Sequence, residues 1–161
     1  MPVEISVASA LAPEFLARWE SIGQAILGAI GFEEAIISVA LVDAAEIRSL
    51  NAHWRQKDAV TDVLSFPTTV DPESSASLTA DGGVLGDIAL CLERIRAQTE
   101  EFNDSGPRLE RPTWIFDQEL LFLLIHGCLH LLGHDHEAEV ERAEMEAEER
   151  RLFLQLEGLL S

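Results

Sequence analysis

The sequence predicts an α+β fold, a small mixed β-sheet packed with helices, and three observations predict it. Short runs rich in β-branched or alternating apolar residues occur at 3–7, 35–42, 62–67 and 84–92. Elsewhere, apolar residues recur at three- and four-residue spacing, the period of a helix that buries one face. The chain then closes on two successive helical stretches, and its 161 residues suit one compact domain, taken here as 1–161.

In chain order, Val3, Ile5 and Val7 alternate with polar residues and predict a first strand. A helix follows, with Pro13 suited to its first turn, Phe15, Trp19, Ile22, Ile26 and Ile30 as its inward stripe, and Gly31 as its C-terminal cap. AIISVALV, residues 35–42, reads as a buried strand. Asp43 and Glu46 then stand in capping-box spacing before a short helix running toward Trp54. RQKDAVT is polar and irregular, DVLSFP is a strand closed by Pro67, and residues 68–83 form a loop. VLGDIALCL, residues 84–92, is the next strand; a helix over 93–102 leads to a polar loop containing Gly106, Pro107 and Pro112. A long apolar helix spans about Thr113 to Leu132, and Gly133 can end it. A last helix from about Ala138 carries Val140, Met145, Leu152, Phe153 and Leu156 inward.

Hydrophobic residues make up 47% and charged residues 25%, which argues for neither disorder nor a fibre. The longest apolar run, Leu120 to Leu132, is interrupted by His126 and His130 and falls short of the roughly 20 residues of a spanning helix, so no membrane partner is expected. The N-terminus shows no basic segment leading into an apolar one, and Cys91 and Cys128 read as reduced core residues; a cytoplasmic location is expected. The net charge is -18, from 29 acids against 11 bases, with Lys57 the only lysine. Such a balance opposes strong binding to free nucleic acid, because that affinity comes largely from neutralising phosphates. Seven of the acids lie in Glu137 to Glu149, which reads as the solvated face of a helix.

Four of the five histidines fall in the string HGCLHLLGHDH, residues 126–136. His126 and His130 are four apart on a predicted helix, so both imidazoles project from one face toward a common point. Gly133 lets the chain leave the helix one turn later, which allows His136 to supply a third nitrogen. Single histidines inside apolar sequence are ordinarily satisfied core residues. Three at this spacing, embedded in LLFLLI and LHLLG, would be costly to desolvate without a shared partner, so a metal site is the stronger reading. Three neutral nitrogens suit zinc, although nickel, copper and iron also accept imidazole. Cys128 points away from the ligand face and is a poor fourth ligand, which leaves the fourth position open, as in catalytic sites where a bound water is acidified toward pKa ~7. A zincin-type peptidase would carry a Glu directly after the first His as base; Gly127 stands there instead.

Together with NAHWRQKDAVTDVLSFP (residues 51–67) and GDIAL (86–90), that string closely resembles the YbeY family of bacterial endoribonucleases. The resemblance covers about Asn51 to Glu149 and matches three separated blocks in order. It implies an α+β fold related to the zincins and one Zn2+ per chain on His126, His130 and His136. It also implies cleavage of single-stranded RNA, in maturation of small-subunit ribosomal RNA and in ribosome quality control. Carried over in the same way, Arg55 is the family's functionally important arginine. A guanidinium can clamp a phosphate bidentately and balance charge developing on its oxygens, although a lone loop arginine is ordinarily a solvated surface charge. Arg55 and His126 are therefore the candidate catalytic residues. Thr61, Asp62 and Ser65 are lesser candidates for the same groove, and His134 departs from the tyrosine common in the family.

Two other classes compete. One is a peptidase or small-ester hydrolase, disfavoured by Gly127; the other is a non-enzymatic ribosome-associated factor whose zinc only pins the last two helices together. For the nuclease, the sequence leaves open whether water or the ribose 2′-hydroxyl attacks, and it leaves Asp135, His134 and Glu119 as candidate proton carriers by proximity alone. Since long-range attraction to RNA is unavailable to so acidic a chain, ribosomal subunits or assembly factors are the expected partners that deliver the substrate.

Overall fold

The structure, a computed structural model, describes residues 3–7, 11–68, 83–105, 108–133 and 138–161. The expected loop over 68–83 falls almost entirely outside them, as do Gly106 and Pro107. Four strands, β1 (Val3–Val7), β2 (Ile36–Val42), β3 (Val63–Pro67) and β4 (Val84–Cys91), form one sheet of order β1-β2-β4-β3. β1, β2 and β4 run parallel and β3 pairs antiparallel with β4, with Ser65 opposite Ile88, so β3 is an edge. Helix α1 (Pro13–Ala29) makes the crossover from β1 to β2 and buries Trp19, Ile22, Ile26 and Leu27. The α+β class expected from the sequence is the one observed.

Helix α2 (Ala44–Arg55) is capped by Asp43, whose carboxylate accepts from Glu46 N at 2.8 Å. Its inner face is narrow: Ile47 packs with Val42, Leu64, Ala89 and Cys91 on one side of the sheet. Asn51 fixes its exit. The Asn51 carbonyl accepts from Lys57 N at 3.2 Å and its amide donates to Ala59 O at 2.9 Å, while Gln56 turns the chain in the left-handed region at φ 58. Arg55 thus sits at a helix end tied to the segment that enters β3.

Helices α3 (Leu92–Ser105), α4 (Phe116–Leu131) and α5 (Glu139–Leu156) cover the other face. α4 is buried nearly all round, as expected for a helix set between a sheet and other helices. It begins at Phe116 rather than Thr113, because the Gln118 side chain takes the Ile115 N–H at 2.9 Å and leaves Ile115 extended. In α5 the inward stripe is Met145, Glu149, Leu152, Phe153 and Leu156. Val140 does not belong to it: at five residues before Met145 it is off the helical phase, and it is 70% exposed. Both cysteines are buried, and burial pushes the Cys128 thiol up to about 12.

Candidate metal and RNA site

The interior of α4 brings His126 and His130 together. Their Nε2 atoms are 3.0 Å apart and their rings meet nearly at right angles, 4.5 Å between centroids. Two nitrogens bound to one tetrahedral zinc at about 2.0–2.1 Å would stand roughly 3.3 Å apart, so the pair fits an ion with an adjustment of a few tenths of an ångström. Gly133, at φ 93, ends the helix as the sequence predicts. His136 lies outside the described residues, as do His134, Asp135 and Glu137. The described residues alone supply two convergent nitrogens and no cluster of three metal-holding side chains.

Glu149 completes the pair's setting, and sequence reasoning missed it. Its Oε1 lies 3.3 Å from His126 Nδ1, and its side chain is only 8% exposed. A carboxylate there favours the tautomer with hydrogen on Nδ1 and leaves the Nε2 lone pair for an ion. The reading of residues 137–149 as one solvated face fails at this position. The signal was available: Glu149 is four residues after Met145 and three before Leu152, on the apolar stripe of α5.

Gly127 lets α4 approach the sheet closely. A Cβ there would lie 3.1 Å from Ile88 Cδ1 and 3.3 Å from Ser65 Oγ, and Ser65 Oγ donates to Gly127 O at 3.3 Å. The position that carries a base in zincin peptidases is thus a packing contact with β3 and β4. Any side chain there would press on Ile88 and Ser65, and with glycine at 127 the on-helix carboxylate that the peptidase mechanism needs is missing.

His126 lines an open cavity of about 830 Å³ with Asp62, Phe122, Arg142, Glu149 and Arg150. Asp62 is held as a wall residue: Val63 N donates to it at 2.7 Å and Gln98 Nε2 at 2.9 Å. Arg55 is not in this cavity. It lines a neighbouring one of about 670 Å³ with Trp54, Ser65, Phe66 and Asp87. Ser65 joins the two, facing the second while bonding to the residue after His126. Thr61 lines neither and donates to Asp62 at 3.3 Å.

Glu119 is not a proton carrier. It is fully buried and saturated, accepting from Arg108 Nε at 2.6 Å, Trp114 Nε1 at 3.0 Å and Gln98 Nε2 at 2.6 Å. It also lies seven residues before His126 on α4, about 10 Å along the axis. Its work is to tie α3 and the 108–110 turn to α4.

The sequence profile of Endoribonuclease YbeY matches residues 10–157. The chain belongs to that family. Endoribonuclease YbeY of Macrococcus caseolyticus (strain JCSC5402) is 42% identical over 113 residues, 70% of this chain and 66% of that protein. The Carboxydothermus hydrogenoformans protein of the same description is 42% identical over 118 residues, 73% of this chain and 70% of that one. The Rhodopseudomonas palustris (strain BisA53) protein is 44% identical over 124 residues, 76% and 64% respectively. The aligned stretch therefore spans about two thirds of these relatives' own length. The solution structure of TM1509 from Thermotoga maritima superposes with a TM-score of 0.63 at 26% identity, covering 97% of this chain and 89% of that one. No helix among the described residues is long and apolar enough to cross a membrane.

Proposed function

We propose that this protein is a zinc-dependent endoribonuclease that cleaves single-stranded RNA, acting in the cytoplasm on small-subunit ribosomal RNA and in ribosome quality control. The observation that carries the reading is the convergence of His126 Nε2 and His130 Nε2 at 3.0 Å, with Glu149 behind His126. His136 is the third ligand in this reading. The chemistry a zinc ion supplies in an open three-histidine site is Lewis-acid polarisation of a phosphoryl oxygen and acidification of water.

The protein's own part is to bring an RNA strand to that point. Edge strand β3 supplies the track: Asp62 and Val63 wall the histidine cavity, and Ser65 to Thr68 wall the cavity of Arg55. A strand laid along it spans both. Arg55 is exposed, and no acidic side chain among the described residues pairs with it, whereas Arg18, Arg48, Arg94, Arg108, Arg111 and Arg151 are all engaged by carboxylates. Its guanidinium is available to clamp a strand phosphate and hold the scissile bond in register. Ribosomal subunits or assembly factors deliver the strand, since a chain of net charge -18 attracts no polyanion at long range.

Arg55→Ala is the direct test. It should abolish cleavage of a single-stranded ribosomal RNA segment while one zinc per chain and the thermal transition are retained. Cleavage within a few-fold of the parent would return Arg55 to the solvated surface. The product termini identify the nucleophile, because a 2′,3′-cyclic phosphate requires attack by the ribose hydroxyl.

A further inference from the structure

The cavity beside Arg55 has a feature that phosphate clamping does not use. Trp54 is 60% exposed, whereas Trp19 and Trp114 are 3% and 1% exposed. An indole left this open at a helix end loses favourable burial, so its orientation is informative. It is fixed by two edge contacts: His53 meets it at 87° with centroids 4.7 Å apart, and Phe66 at 65° with centroids 6.1 Å apart. Both contacts are steeply tilted and neither stacks face to face on the indole, and its 60% exposure leaves ring surface available to a flat partner. Arg55 follows it directly in sequence, and Asp87 lines the same space.

We infer that Trp54 is a stacking platform for one unpaired nucleobase of the RNA strand whose phosphate Arg55 holds. The inference rests on the reading of Arg55 as a phosphate clamp and adds a subsite to it. A flat aromatic face next to a cation that has no acidic partner among the described residues is the combination that binds single-stranded nucleic acid, the ring taking the base and the cation the backbone. A cavity of about 670 Å³ admits a nucleotide. The Asp87 carboxylate is an acceptor for an exocyclic amino group, which makes adenine a suitable probe base. Ser65, on the wall of this cavity, bonds to Gly127 O beside His126, so a base seated on Trp54 marks a nucleotide close to the cleavage point. A duplex cannot offer an unstacked base to this ring, and the platform therefore accounts for a preference for single strands.

The experiment measures binding, at low salt, of a short oligoadenylate and of a matched set carrying one abasic site at each position. Because Trp19 and Trp114 are buried, quenching of the exposed tryptophan emission reports Trp54. Oligoadenylate should quench it in the parent. Trp54→Ala should weaken binding about tenfold, within the range expected for one stacked base, and Trp54→Phe should hold it within about threefold. One abasic oligonucleotide should bind the parent and Trp54→Ala alike, and the salt dependence should not change because no phosphate contact is lost. Equal weakening of intact and every abasic oligonucleotide by Trp54→Ala, or no weakening, would overturn the platform and indicate a surface for a protein partner. Failure of the nuclease reading looks different: the zinc-loaded parent would then bind and quench yet cleave nothing.

Discussion

Glu149→Gln separates a residue that orients a ligand from one that only fills the core. The side chain changes charge and keeps its shape. In the parent, a carboxylate accepts from His126 Nδ1 across 3.3 Å, at a site where His126 is 23% and Glu149 8% exposed. A charge-assisted hydrogen bond is worth roughly twice a neutral one, about 1.5–3 against about 1 kcal/mol. The contact is long, so the lower end applies, and the substitution removes about 0.5 kcal/mol of preference for the Nδ1–H tautomer. That corresponds to a fall in zinc affinity of about twofold, below the roughly tenfold or more that outer-shell partners of ligating histidines usually contribute. The assay is competition for zinc against a chelator of known strength, with the thermal transition as a control for fold. At saturating zinc, cleavage should recover to near the parent rate. Unchanged zinc affinity in a folded variant would refute the orienting role, and the tautomer argument with it.

Two further outcomes follow from the burial pattern. Glu119→Ala should destabilise the protein by about 3 kcal/mol, read by urea unfolding, because it strands Arg108, Trp114 and Gln98 at once; the value sits at the low end for a broken buried pair since the Arg108 side chain is 28% exposed. A loss below about 1 kcal/mol would show that the hub does not bind α3 to α4. Stability should also fall in alkali: the Cys128 thiol is pushed up to about 12 from an ordinary 9.0 by burial, so the unfolded chain releases its proton first. The contribution is fully present below pH 9 and declines at up to about 1.4 kcal/mol per pH unit above it. Cys128→Ala should flatten that decline in denaturation curves at pH 8 and 10, and an equal slope in both proteins would contradict the assignment.

Local chemistry was legible in the sequence and long-range chemistry was not. The stripe from Trp19 to Ile26, the Asp43 cap and the Gly133 stop all depend on neighbours within a turn, and each is found as expected. The edge position of β3 is set by pairing with β4 across a long insertion, and no periodicity announces it. Val140 is apolar but out of phase with the buried stripe of α5, so its apolarity misleads. Glu149 was missed for the converse reason: its charge suggested solvent, although its phase put it on the buried stripe. In the same way, Glu119 looked catalytic from its nearness to the histidines in sequence, and its partners lie 5, 11 and 21 residues away in the chain. His126 and His130 were legible because their geometry is contained in one helix. The placement of Arg55 in a neighbouring cavity was not, since it depends on how α2 docks beside β3.

The central claim is that RNA cleavage depends on one ion held by the histidines of α4 and the turn after it. The most direct measurement is single-turnover cleavage of a single-stranded ribosomal RNA segment by the metal-stripped protein, titrated with zinc. Cleavage should be absent without metal, rise in proportion to zinc and saturate at one equivalent per chain. Cleavage at full rate without metal, or none at full zinc occupancy, would contradict the account.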